Sequence, residues 1–105
     1  RFNRSGDFRA SGSGIIDYNT SEIDARCIEL AFQISCEFKF QSMAYDFLYD
    51  KTRNPVICEI SYGFNDTAVY NCPGHWDRNL NWEQKQIWPE EVQVINFINS
   101  IRKLK

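Results

Sequence analysis

The sequence predicts an α+β fold: an antiparallel β-sheet packed with about two α-helices on one side. Three patterns point there. Ser42–Asp50 and Pro55–Tyr62 are two runs rich in aromatic and β-branched residues, joined by the turn-like Lys51-Thr52-Arg53-Asn54. Ile23, Cys27, Leu30, Ala31, Ile34 and Phe38 recur at helical spacing. Val92, Ile95, Ile98 and Ile101 do the same near the other end.

The 105 residues suit one small domain spanning 1–105, and a hydrophobic content of 43% gives it material for a core. A net charge of −2 supplies no basic field, so no nucleic-acid partner is expected. No apolar run approaches the length of a membrane span. The chain opens on Arg1 and a polar, glycine-bearing stretch, and is expected to be a piece of a longer protein. Cys27, Cys36, Cys58 and Cys72 lack the close spacing of a zinc site. They read as reduced, partly buried thiols, which places the chain in the cytoplasm.

Taken in order, Arg9-Ala10-Ser11-Gly12-Ser13-Gly14 comes first. It combines a cation, two hydroxyls and two glycines, and such a loop can bring backbone N–H groups to phosphate oxygens. A flexible linker is the other reading. The flanks Phe8-Arg9 and Ile15-Ile16-Asp17-Tyr18 read as short strands, which places the loop inside the domain. Asn19 starts a helix as N-cap, with Glu22 three residues on. Asp24, Arg26, Glu29 and Gln33 mark its polar side.

In the hairpin, a four-residue loop sets Asp50 opposite Pro55. That register pairs Leu48 with Ile57, Asp46 with Glu59 and Ala44 with Ser61 on one face. Tyr45 with Ile60, Phe47 with Cys58 and Tyr49 with Val56 form the core face. Two opposed carboxylates repel. A cation or a shared proton compensates such a pair, and Mg²⁺ takes one or two carboxylates plus substrate phosphates. Asp46 and Glu59 therefore read as metal ligands; a solvated outer face is the bland alternative.

Past the hairpin, Gly63–Asp66 reads as a turn and Thr67–Tyr70 as a short strand. Cys72 and His75 invite a nucleophile-and-base reading, but nothing in the sequence orients the base, and a structural role is favoured. Trp76, Trp82 and Trp88 pin a loop-rich stretch onto the body or line a pocket. Pro89 suits the first position of the last helix, with Glu90 and Glu91 at its N-terminus and Arg102, Lys103 and Lys105 near its end.

A glycine-bearing loop, a helix and a hairpin with an acid on each arm resemble the C-terminal lobe of the ATP-grasp superfamily, the carboxylate–amine ligase fold. The motifs that carry this are Asp7–Gly14, Ala44-Tyr45-Asp46-Phe47-Leu48 and Ile57-Cys58-Glu59-Ile60-Ser61. The resemblance covers about Arg1 to Tyr62. It implies that Asp46 and Glu59 hold the Mg²⁺ that bridges the phosphates of ATP, and that Arg9 faces the transferred phosphate or acyl phosphate. Backbone amides around Ser11, Gly12 and Ser13 would assist. Ser61 stands where the family carries Asn and is a possible third ligand. The stretch from Ser61 through Cys72-Pro73-Gly74-His75-Trp76-Asp77 to Trp82 is similar to a subgroup associated with bacterial surface-polysaccharide (lipopolysaccharide) biosynthesis, with His75, Trp76 and Asp77 on the acceptor side.

The partners implied are ATP, a carboxylate and an amine acceptor, and an upstream ATP-grasp lobe carrying the adenine site and the phosphate-binding lysines. Without that lobe the chain is expected to be inactive. The competing expectation is a non-catalytic binding module whose tryptophans form a contact surface.

Overall fold

The chain is seen in a computed structural model that describes Gly6 and residues 16–104. The described residues form an α+β structure with two small antiparallel sheets and three α-helices. The expected α+β class is borne out, with two small sheets in place of one and three helices where about two were expected.

Ile16–Asn19 has no regular secondary structure, where a strand was expected. Asn19 does cap, but what it caps is a single 3-10 turn, Thr20–Glu22. Helix α1, Ala25–Phe38, starts at a second cap, where the Asp24 side chain accepts from the Arg26 N–H. It ends on Lys39, whose φ of 57° places it in the left-handed region, and Phe40 N–H closes on the Ser35 carbonyl.

Strands β1, Ala44–Tyr49, and β2, Pro55–Ser61, form the first hairpin. The observed pairs are Tyr49 with Pro55, Leu48 with Val56 and Phe47 with Ile57, then Asp46 with Glu59, Tyr45 with Ile60 and Ala44 with Ser61. Two departures from expectation cancel. The loop is one residue tighter, because Arg53 takes a left-handed φ of 63° and Asp50 N–H bonds the Asn54 carbonyl. A bulge at Cys58, between the Phe47 and Asp46 pairs, then restores the lost residue. The acid pair lands where expected, while the pairs nearer the turn shift by one. The shift carries Ile57 rather than Cys58 and Val56 to the face toward α1, so the bulge matches the more apolar side chain to the more buried side.

Gly63–Asn65 leads into a one-and-a-half-turn helix α2, Asp66–Tyr70, capped by the Asn65 side chain on the Ala68 N–H. This replaces the expected strand: Asn65-Asp66-Thr67 is good capping chemistry, and capping decides so short a segment. Strands β3, His75–Trp76, and β4, Trp82–Glu83, make the second hairpin. Its turn repeats the first. Asp77 Oδ1 accepts from the Asn79 and Asn81 N–H groups, as Asp50 Oδ1 does from Thr52 and Asn54, and Leu80 sits at φ 62° where Arg53 sits at 63°. Helix α3, Pro89–Lys103, begins as expected with Pro in its first turn.

None of the described hydrophobic side chains is fully buried; Pro89 is the one buried residue among those described. Helix α1 is tied to β1 by Ser35 Oγ to Tyr45 OH at 2.6 Å and by Tyr49 OH donating to Asp24 Oδ2 at 3.2 Å. Between them lies a cleft of about 620 Å³ lined by Cys27, Ala31, Phe32, Tyr45 and Phe47. The N-terminal end of α3 seats on α2 through Tyr70 stacked on Trp88 at 4.1 Å, and Gln93 ties it to the segment before β1 by donating to Ser42 Oγ at 2.9 Å. Among the described residues, no helix is long and apolar enough to cross a membrane.

Candidate functional site

The site is built on the first hairpin. Asp46 and Glu59 are directly opposed on paired strands, so both side chains leave the same face, with Cβ atoms about 5 Å apart. Both are exposed, and neither has a salt-bridge partner among the described residues. Ser61 lies two residues beyond Glu59 and shares that face. Its hydroxyl donates to the Gly63 carbonyl at 2.9 Å and accepts from the Gly63 N–H at 3.1 Å, which leaves one oxygen lone pair. Leu48 and Val56 border the acids toward the turn and stay exposed. Behind the pair, the bulged Cys58 thiol donates a weak hydrogen bond to the Asp46 carbonyl at 3.3 Å.

This is a set of hard oxygen donors. Two carboxylates and a hydroxyl on an open face suit Mg²⁺, which keeps several waters and shares phosphate oxygens. They do not suit a closed protein cage, and no cluster of three His, Cys, Asp or Glu able to hold a metal occurs among the described residues. Arg9, Ser11, Gly12 and Ser13, the expected phosphate side, lie outside the described residues, as does the strand expected at Phe8-Arg9.

His75, Trp76 and Asp77 sit on the second hairpin, each with a local structural task. His75 Nε2 is 3.2 Å from Glu83 Oε2, and Nδ1 is 3.1 Å from the Lys85 carbonyl, so both ring nitrogens are engaged. Trp76 packs edge-on against Trp82, with centroids 4.6 Å apart. Asp77 caps its own turn; backbone bonds from Asn81 lead the effects that lower its pKa. Cys72 is half-buried, and that burial pushes its thiol pKa up, away from the nucleophilic thiolate. All four cysteines are free, with Cys36 and Cys58 exposed rather than partly buried.

Sequence reasoning missed the paired Asp-x-x-x-Asn turns and the role of Asp24. The turn signal was present, since Asp50-Lys51-Thr52-Arg53-Asn54 and Asp77-Arg78-Asn79-Leu80-Asn81 carry the same ends. Comparison with family models, curated proteins and solved structures finds no match.

Proposed function

We propose that this chain is the metal- and phosphate-holding half of an ATP-grasp ligase that joins a carboxylate to an amine, or a related nucleophile, through an acyl phosphate. A bacterial cytoplasm and surface-polysaccharide synthesis are its proposed setting. The observation that carries the reading is the direct opposition of Asp46 and Glu59 on an open sheet face. Like charges so placed are unfavourable without a cation, and a tight turn plus a compensating bulge keep them in place.

Asp46 and Glu59 would hold Mg²⁺, and Ser61 would offer its free lone pair to the metal or to a bound water. When bound, Mg²⁺ supplies charge neutralisation on the phosphates. The two carboxylates would orient it; Arg9, with the amides near Ser11, Gly12 and Ser13, would take up charge on the transferred group. His75, Trp76 and Asp77 would border the acceptor. Adenine and the inner phosphates need a second lobe, and catalysis of this type is mostly positioning and electrostatic stabilisation. The chain alone therefore holds Mg·ATP at roughly millimolar Kd, about 4 kcal/mol, and turns none over.

Calorimetric titration of Mg·ATP into the chain tests this. The expected result is weak, Mg²⁺-dependent binding that Asp46→Asn and Glu59→Gln each remove. Binding indifferent to both substitutions would sink the assignment, and micromolar affinity or ADP release would mean the site is complete in these 105 residues. The competing reading, a non-catalytic binding module, draws on the apolar surface left open. It is the outcome if neither Mg²⁺ nor ATP binds.

A further inference from the structure

We propose that the outward face of α3 is a self-association surface on which α3 of a second copy of this chain seats antiparallel. The inference is independent of the ATP reading. Successive residues of an α-helix are rotated by about 100°. On that spacing Pro89, Val92, Gln93 and Asn96 share one side of α3. It is the side toward the body: Pro89 is buried, Pro89, Val92 and Gln93 line a cleft with Met43 and Phe64, and Gln93 bonds Ser42. Val94, Ile98 and Ile101 lie on the opposite side, with Phe97 at its edge; they are 57%, 42%, 41% and 57% exposed. Ile95, on the flank, is 49% exposed. The more apolar side of the helix thus points away from the protein, at i, i+3, i+4, i+7 spacing.

Two features select a second copy as the occupant. The stripe is self-complementary about the Phe97–Ile98 peptide. Reversing the helix there sets Val94 against Ile101 and Phe97 against Ile98, as an isologous two-fold interface requires. The charges agree. Glu91 in the first turn and Arg102 in the last lie on the same flank of the stripe, eleven residues apart in sequence. In an antiparallel pair, Glu91 of each copy lies beside Arg102 of the other, and the two-fold makes that contact twice. A parallel pair would put Glu91 and Arg102 of the two copies on opposite flanks of the seam and form no such contact. The acids and bases also complement the dipole of α3 itself, but the dipole gives no reason for the stripe they flank.

From Val94 to Ile101 the stripe spans about 10 Å, short of a standard stable interface. The dimer is therefore weak. Sedimentation equilibrium of the chain, without nucleotide or metal, is the test. The expected mass rises toward twice the chain mass between micromolar and millimolar concentrations. Phe97→Asp and Ile101→Asp each hold it at the monomer, with unchanged far-ultraviolet circular dichroism. Glu91→Arg and Arg102→Glu each weaken association roughly tenfold, since exposed ion pairs are modest individually. Combined in one chain they restore it, which also guards against a variant that merely unfolds. A chain that stays monomeric to about 1 mM, a dimer that survives Phe97→Asp, or a charge swap that fails to rescue each overturns the proposal; a different partner would then cover the stripe.

Discussion

At the residue scale, a few polar side chains hold the turns, and their pKa values record it. The Asp24 carboxyl is lowered to about 2, first by the Arg26 guanidinium hydrogen bond and then by the Arg26 backbone N–H. Asp50 and Asp77 are lowered by backbone N–H groups of their own turns. A depressed carboxyl pKa adds stability that is complete above the unfolded value and is lost as pH falls through the folded one. The melting temperature should hold down to about pH 4 and then drop toward pH 2, a drop that Asp24→Asn makes shallower. Melts followed by circular dichroism across that range decide it. Gly74 is a second sensitive position, because a β-carbon there would run into the Glu83 carbonyl and the Trp82 ring. Gly74→Ala should cost about 1–3 kcal/mol and weaken the near-ultraviolet dichroism of the Trp76–Trp82 pair.

At the element scale, long amphipathic segments were legible in the sequence and short ones were not. The helix periodicity from Cys27 to Phe38 and the Trp-Pro-Glu-Glu start of α3 each carry several turns of evidence. Asp66–Tyr70 carries little more than one turn, so its cap outweighs its β-branched content. The second hairpin has two-residue strands, too short for any alternation to show. The acid pair was legible because it depends on the sum of loop and strand lengths, whereas its neighbours depend on each length separately. Repulsion within the pair has its own signature. Without metal, Asp46→Asn should raise the melting temperature by about 2–5 °C, and Mg²⁺ should raise that of the parent but not of the variant. A fall in the metal-free melt would mean the two carboxylates do not oppose each other.

At the scale of the whole molecule, the chain leaves more apolar surface open than its composition suggests. No described hydrophobic side chain is fully buried, and a cleft separates α1 from the sheet it should cover. Stability then varies along the chain, with segments that bury least opening first. Amide exchange should be fastest in the C-terminal half of α3, beyond its seat on Trp88 and Gln93, and slowest where β1 pairs with β2. Raising the protein concentration should protect α3 selectively if two copies pair there, and leave the hairpin rates unchanged.

Cys58 is the residue the first hairpin can lose. Because it is the unpaired member of the bulge, its deletion removes no ladder partner. Phe47 would still meet Ile57, and Asp46 would still meet Glu59, on a straighter ribbon. Deleting its neighbour Ile57 would also keep the acids opposed, but would set a cysteine against Phe47 and thin the side facing α1. Related chains that differ by one residue in this strand should therefore show their gap at the bulge, with both acids retained on either side of it.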